Sequence, residues 1–153
     1  CALQVVVFGE GRGKGVSRHA VATMKAIGAR HGLKGMIAPV RPSQKSSYPL
    51  IPIDRYVEWT NGEGLPFDAW MRVHARLGAR VVRPCPKAMK ITGTVAEWES
   101  WTGMSFPDSG KYVVPGALVP VEIDRQSDRG AYIEPNVWMH HPLKPGGGTA
   151  NPL

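Results

Sequence analysis

Cysteine is scarce in this chain, and the spacings that would let cysteine or histidine hold a metal are absent. Its 153 residues include two cysteines, Cys1 and Cys85, and no CxxC or HExxH motif. Two cysteines so far apart do not form a disulfide framework, which favours a reducing compartment. His140 and His141 are adjacent, and adjacent residues of a strand point to opposite faces, so they are a poor chelating pair and no metal site is predicted.

Long apolar runs are missing as well. No stretch approaches the roughly 18–20 consecutive apolar residues of a membrane span, and no basic segment followed by an apolar one, as in a signal peptide, opens the chain. Apolar residues nevertheless make up 42% of the sequence, which is enough for one packed domain. We therefore expect a soluble, cytoplasmic protein with no membrane partner.

Acidic residues are fewer than basic residues in this chain. Against 19 Lys and Arg there are 12 Asp and Glu, which gives a formal net charge of +7 and favours anionic partners. The cations are dispersed, without a block of five or more, and no compact alternation of basic and aromatic residues suits base stacking. The charge therefore favours a phosphate-bearing small molecule, with nucleic acid as an unlikely partner.

Strand and helix patterns alternate in the first part of the chain. The apolar run at residues 3–8 predicts a buried strand, the apolar periodicity of residues 16–31 predicts an amphipathic helix, and residues 35–40 predict a second strand. Together they predict a β–α–β unit with a right-handed parallel crossover. The proline-rich residues 41–66 predict a long ordered loop over a cleft.

The second part of the chain mixes helical and β-rich segments. Thr94 and Glu97 have the spacing of a capping box, which marks the start of a short helix. Prolines interrupt two of the strand-like segments, as at an edge or a bend. In chain order the pattern predicts a helix, an interrupted strand, a capped helix, a bent strand and a final strand at residues 67–77, 79–91, 94–103, 112–123 and 131–138.

Four glycines lie within seven positions where the first predicted strand meets the first helix, namely Gly9, Gly11, Gly13 and Gly15. Glycine lets the backbone turn tightly and lets a ligand approach the main chain. The first amides of a helix lack intrahelical partners and form an anion site. Arg12 and Lys14 add positive charge and Ser17 adds a hydroxyl, so the junction predicts a phosphate site.

Two common phosphate motifs do not match this junction. The P-loop spacing GxxxxGK[ST] is absent, and the dinucleotide fingerprint GxGxxG would need glycine where Lys14 or Val16 stands. The segment from Arg12 to Ser17 instead resembles the acyl-CoA loop of the GNAT acyltransferase family, which reads Q/R-x-x-G-x-G/A between a strand and a helix. Arg12 and Gly15 match its first two fixed positions, and Ser17 replaces the final Gly or Ala.

A second resemblance to the same family lies downstream. HARLGARVV, from His74, is similar to the family's helix–turn–strand element, commonly Y-x-k-L-G-F. His74 stands at the tyrosine position, Leu77 and Gly78 coincide, and Ala79 replaces the usual Phe. The resemblance covers residues 2 to about 91 and implies an α/β fold with a GNAT-like mixed sheet around a β–α–β CoA-binding core.

The resemblance also implies a domain organisation. We predict a single GNAT-like domain over residues 1–141, with a CoA-binding core at 1–91 and a β-rich, family-specific extension at 92–141, followed by a flexible tail at 142–153. The strands that precede the acyl-CoA loop in the family are missing. We therefore expect the C-terminal portion of the domain, completed by a missing N-terminal segment, a partner chain or a homo-oligomer.

The function implied by the resemblance is N-acyl transfer. An acyl (acetyl) group would pass from acetyl-CoA or another acyl-CoA, as co-substrate, to a small-molecule amine acceptor. His74 would be the general acid, with Tyr48 as an alternative acid and a structural role open for either. Sequence does not distinguish a general base among several glutamates. The CoA-binding residues would be Val7, Arg12, Gly13, Lys14, Gly15, Val16 and Ser17.

Two other readings of the same residues remain. One is a non-catalytic basic module that binds phosphate or nucleic acid, since the charge and the glycine junction suit it equally. The other is a CoA-binding half-domain that a partner chain completes.

Overall fold

The computed structural model describes residues 9–11 and 14–143. The predicted strand at residues 3–8 and most of the predicted tail lie outside these residues. The helices are α1 (Val16–Arg30), α2 (Ile53–Tyr56), α3 (Ala69–Arg76) and α4 (Val95–Thr102). The strands are β1 (Gly35–Val40), β2 (Arg80–Gly93), β3 (Gly110–Tyr112), β4 (Val121–Asp124) and β5 (Arg129–Pro142).

Strand β5 is the centre of the sheet, and every pairing between the described strands is antiparallel. Strand β2 follows one side of β5, while β1 and β4 share the other side and β3 adds to β4. Strand β5, which lies in the predicted extension, thus pairs with two strands of the predicted core. The parallel crossover predicted for the β–α–β unit involves residues 3–8, which lie outside the described part.

The local helix signals of the sequence are confirmed. Helix α1 spans nearly the predicted residues, and Gly32, with φ of +70°, follows its end. Helix α3 begins after Asp68, whose side chain accepts hydrogen bonds from two amides of the first turn, and ends before Gly78 at φ +84°. Helix α4 has the predicted capping box between Thr94 and Glu97.

Three apolar clusters hold the helices against the sheet. The first joins β1 and β5 to α2 and α3, the second joins α4 to β4 and β5, and the third places α1 over the start of β1. In the second cluster the indole of Trp98 lies directly against Gly130, where an added Cβ would collide with the ring. Glycine at that position therefore lets the helix approach the sheet closely.

The loop at residues 41–66 is ordered, as predicted. A 3-10 turn at Lys45–Ser47 and helix α2 lie within it. Four aromatic rings pack on one another, with centroids 5.1 to 6.2 Å apart, and fix the loop against the first cluster: Tyr48, Tyr56, Trp59 and Phe67. Ring packing of this kind stabilises a fold by more than the apolar area it buries would predict.

Two strand predictions are wrong in extent. The bent strand at 112–123 is two short strands, β3 and β4, joined by a turn in which Gly116 has φ of +81°, because the prolines there cannot donate ladder hydrogen bonds. The last strand is longer than predicted and runs through Pro142, and Leu143 is buried beside α1. These two residues of the predicted tail therefore belong to the fold. None of the described helices combines the length and apolarity needed to cross a bilayer.

Candidate active site

The N-terminus of α1 is a candidate anion site. Gly15 occupies the N-cap in the left-handed conformation, with φ of +74°, and no side chain of residues 9–11 or 14–143 caps the helix. The first turn contains no acidic residue, whereas Lys14, Arg18 and His19 are all exposed around it. Within the described part of the chain, the first amides therefore have no side-chain cap, and the positive end of the helix dipole has no acidic residue in its own turn.

The structure describes four of the seven predicted CoA-binding residues. Lys14, Gly15 and Val16 are exposed and Ser17 is half-buried, all at the turn that begins α1. A side chain at Gly15 would meet no neighbouring atom but would strain the backbone, since φ there is positive. The remaining predicted residues lie outside the described part: Val7, Arg12 and Gly13.

His74, the predicted acid, is buried on the inner face of α3. Only 3% of the residue is exposed, and its Nδ1 lies 2.9 Å from Nε2 of His141, which is fully buried on β5. The ring of Trp70 packs edge-on against His74 with centroids 4.5 Å apart. Strand β1 places Met36 opposite His141, so the pair lies on the face of the sheet that α1 and α3 cover.

Both imidazoles of this pair are neutral near pH 7. Burial, and then the neighbouring His141, lower the pKa of His74 to about 4. Burial, and then the charge of Lys25, lower the pKa of His141 to about 4. The outer ring nitrogens, Nε2 of His74 and Nδ1 of His141, are buried without a hydrogen-bond partner among the described residues.

Lys25 connects this pair to α1. Its Nζ donates a hydrogen bond to the carbonyl oxygen of Leu77, just after the end of α3. The ammonium thereby takes one of the carbonyls that the end of a helix leaves free. The helix that begins at the candidate anion site therefore also contacts the element that carries His74.

The alternative acid, Tyr48, lies in a different cluster. It packs against Tyr56, Trp59 and Phe67 and remains about one-third exposed. His74 and Tyr48 share no contact partner in the hydrogen-bond and ring-packing networks described above. The structure therefore does not bring the two predicted acids together.

A buried carboxylate network was not predicted from the sequence. Glu134, on β5, is 5% exposed and accepts hydrogen bonds from Arg41 Nε at 2.9 Å and from the Tyr132 hydroxyl at 2.8 Å. The Tyr132 hydroxyl in turn accepts from the Leu118 amide. The second guanidinium nitrogen of Arg41 donates to the carbonyl of Gly116. Glu134 lies two residues after the buried Tyr132 and therefore on the same face of β5. This alternation was the one sequence signal that could have indicated a buried Glu134.

Lys45 makes a similar connection nearby. Its side chain is fully buried, and Nζ donates to the carbonyls of Tyr48 and Leu118, each at 2.7 Å. Burial lowers the pKa of Lys45. Lys45 and the Glu134 network thus fasten the loop at 41–66 to the turn between β3 and β4, which gives both a structural role.

Comparisons with known proteins agree with the predicted family. No protein-family model matches the chain. Arginine N-acetyltransferase avaD of Aspergillus versicolor is 32% identical over 160 residues, which cover 93% of this chain and 55% of that protein. The loading GNATL domain of CurA from Lyngbya majuscula matches with a TM-score of 0.57 and 16% identity, over 92% of this chain and 52% of that one. The chain thus spans about half the length of each.

The two comparisons support different statements. Because its sequence identity is low, the CurA domain supports a statement about the fold alone. It confirms the predicted GNAT-like α/β architecture. The avaD protein is related in sequence to nearly all of this chain. With the glycine junction and the His74 element, these findings confirm the predicted relationship to the GNAT family.

Proposed function

We propose that this chain binds acyl-CoA and takes part in the transfer of an acetyl group to an amine acceptor. In this reaction the acceptor nitrogen attacks the thioester carbonyl, a C–N bond forms, and the C–S bond breaks. The amine loses a proton and the CoA thiolate gains one. The observation that carries the proposal is the uncapped N-terminus of α1, which lacks any acidic residue in its first turn, in a chain related to an N-acetyltransferase.

The pyrophosphate of CoA would bind at the start of α1. Backbone amides after Gly15 supply hydrogen-bond donors, and the helix dipole favours the negative charge. Lys14 and Arg18 are exposed at the same end and add cationic side chains. Arg12, Gly13 and Val7 complete the proposed contacts by analogy with the family loop.

The proton for the leaving thiolate would come from His74, with Tyr48 as the alternative donor. A neutral imidazole carries one N–H, which would donate a hydrogen bond to the leaving thiolate; full transfer of that proton requires the ring to take up another at its second nitrogen. The unpartnered Nε2 of His74 supports this role, because the other ring nitrogen is already engaged by His141. The partial exposure of Tyr48 supports the alternative.

The acceptor is proposed to be a small molecule with a primary amine. Arginine is the first candidate to test, since the name of the avaD relative specifies that acceptor. Release of CoA thiol and mass spectrometry of the N-acetyl product would measure the transfer. Arginine and a set of other amines would be compared at equal concentration.

Binding of CoA is tested by calorimetric titration of acetyl-CoA, CoA and ADP into the protein. We expect Gly15→Asp to weaken acetyl-CoA binding at least about tenfold, equivalent to about 1.4 kcal/mol, because it places a carboxylate at the anion site. Gly32→Asp is a matched control: Gly32 also has a positive φ and open surroundings, but follows the opposite end of the same helix. Equal affinity of the Gly15→Asp and unaltered proteins would refute the proposed site.

A further inference from the structure

Strand β2 has one edge that no other described strand covers. It pairs with β5 along its other edge, and its backbone makes no further backbone hydrogen bond within residues 9–11 and 14–143. Pro84 and Pro86 lack an N–H and restrict any ladder along the first half of the strand. Every residue from Pro86 to Thr92 is exposed. Residues 87–93, which we call the open edge, therefore have the form of a template for a further strand.

The two faces of the open edge differ in chemistry. Met89 and Ile91 lie opposite Glu134 and Tyr132 in the ladder, and Gly93 follows in the same alternation. The indole of Trp101, on α4, lies directly against Gly93 and is 55% exposed, and Met89 is 44% exposed. This face is therefore apolar and accessible, whereas Lys90 points to the opposite face.

The charge of the strand has a single sign. Strand β2 contains Arg80, Arg83, Lys87 and Lys90 and no acidic residue. Lys87 and Lys90 are exposed in the open edge, and neither takes part in an ion pair with a described residue. Opposite charges on neighbouring strands attract and like charges directly opposite repel. The open edge therefore favours an incoming strand with acidic side chains.

This chain does not supply such a strand. Residues 1–8, 12–13 and 144–153 contain no Asp or Glu. In a second copy, the described strands with an uncovered edge are β1, β2 and β3, and none of the three contains an acidic residue. Pairing of β2 with β2 would also bring lysines together. The charge therefore fits a separate acidic polypeptide.

We propose that the open edge of β2 binds an extended acidic segment of a partner protein by strand addition. The main chain of the segment continues the sheet, while its side chains alternate between apolar residues towards Met89 and Ile91 and acidic residues towards Lys90. Edge lysines in other proteins serve only to prevent aggregation, and the experiment separates that role from binding. The proposal does not depend on acyl transfer.

Fluorescence anisotropy with labelled nine-residue peptides tests binding to the full chain. One peptide alternates valine with glutamate and the other alternates valine with lysine. We expect the acidic peptide to bind at least about tenfold more tightly at low salt, and this ratio to shrink at 0.5 M salt because exposed charges are screened. The double variant Lys87→Glu, Lys90→Glu should prefer the basic peptide. Equal affinity of the unaltered protein for both peptides would overturn the proposal.

Methylation of peptide nitrogens separates strand addition from a purely electrostatic contact. In an added strand, every second amide points towards the neighbouring strand and the others point away. We therefore expect methylation of one alternate set of amides in the acidic peptide to weaken binding at least about tenfold, and methylation of the other set to weaken it much less. Equal effects of the two sets would refute strand addition.

Hydrogen exchange measured by mass spectrometry locates the contact. We expect the acidic peptide to slow amide exchange in residues 87–93 and not in β3, whose uncovered edge also carries an exposed lysine. Lys111→Glu, on β3, is the matched control and should bind both peptides as the unaltered protein does. No binding of the acidic peptide, with aggregation of the double variant Lys87→Ser, Lys90→Ser, would assign the lysines to edge protection and overturn the proposal. Slower exchange in 87–93 with rising protein concentration, without peptide, would assign the edge to a second copy and overturn it as well.

Discussion

The His74–His141 pair should make the stability of the fold fall in mildly acidic solution. Each imidazole has an ordinary pKa near 6.5 in an unfolded chain, whereas burial lowers both pKa values to about 4 in the folded protein. Between these values the unfolded chain binds protons that the folded one does not. The stabilisation is therefore complete above pH 6.5, is lost as the pH falls from 6.5 towards 4, and changes no further below 4.

The size of the loss follows from the shift. One pH unit of unequal proton binding corresponds to about 1.4 kcal/mol. Because pH 5 lies about 1.5 units below the unfolded pKa, each imidazole lowers the free energy of unfolding there by about 2 kcal/mol. Because the two rings are in contact, their contributions overlap, and we expect about 2–4 kcal/mol for the pair. This is a large part of the roughly 5–15 kcal/mol by which domains of this size are stable.

Urea unfolding followed by tryptophan fluorescence at pH 7.5 and pH 5 would measure this loss. The double variant His74→Gln, His141→Gln lacks both imidazoles, while its carboxylates are those of the unaltered protein. We therefore expect the free energy of unfolding to fall by about 2–4 kcal/mol more in the unaltered protein than in the double variant. His140→Gln should behave like the unaltered protein. An equal fall in all three proteins would refute the assignment of two neutral buried imidazoles.

Two further predictions concern packing and the buried carboxylate. Gly130→Ala should lower the free energy of unfolding by about 1–3 kcal/mol in urea titrations, because the new methyl group collides with the Trp98 indole. Gly110→Ala is the control, because an added Cβ there has no neighbouring atom within 4 Å. Equal losses of stability in the two variants would contradict the close approach of helix α4 to the sheet at Gly130. Glu134→Ala should cost about 1–3 kcal/mol in the same assay, since the buried Tyr132 hydroxyl loses its acceptor and the half-exposed Arg41 loses its ion-pair partner. Glu58→Ala, which removes an exposed ion pair, should change little, and an equal change at both sites would argue against the network.

Local signals in the sequence were sufficient for helices α1, α3 and α4, whereas the short helix α2 lies in the segment that was predicted to be a loop. The capping box at Thr94 and Glu97, and glycines after helices α1 and α3, act through neighbours in the chain, so they can be recognised without knowledge of the fold. The glycine junction before α1 has the same local character, and its geometry at Gly15 agrees with the prediction.

The central position of β5 could not be predicted in this way. Its partners β1 and β2 are separated from it by many residues, and nothing in its own sequence specifies which edges it joins. The prolines between β3 and β4 were visible, but whether they bend one strand or separate two depends on the turn at Gly116. Assignment from alternation alone therefore overestimated the length of the strand at residues 112–123.

The contact of His74 with His141 shows what cannot be predicted from the rule that adjacent strand residues point to opposite faces. His140 and His141 do point to opposite faces, as the sequence predicted, yet this rule says nothing about partners elsewhere in the chain. Alternation with Val137 and Met139, both apolar and buried, would have placed His141 on the inner face. Its partner, 67 residues away on α3, follows only from the packing of that helix.

The buried polar groups differ in how many hydrogen bonds they make with other described residues. Asp68 accepts hydrogen bonds from five donors, and Lys45 has two carbonyl acceptors. Nε2 of His74, by contrast, has no partner among the described residues, as is also true of Trp98 Nε1, Asn136 Oδ1, His140 Nδ1 and His141 Nδ1. An unpaired buried polar atom is costly to a fold, and its presence at five places does not by itself single out the proposed acid.

Helix α1 connects the candidate anion site to the end of helix α3, which carries His74. Its N-terminus offers free amides, and Lys25, nine residues after Val16, reaches the end of the helix that carries His74. At 1.5 Å per residue these two points are about 14 Å apart along the helix axis. A ligand that occupied both would need phosphate at one end and its reactive group on a long arm. Acyl-CoA has that form, whereas inorganic phosphate does not, so binding of acetyl-CoA well above that of ADP is the result that would connect the two sites.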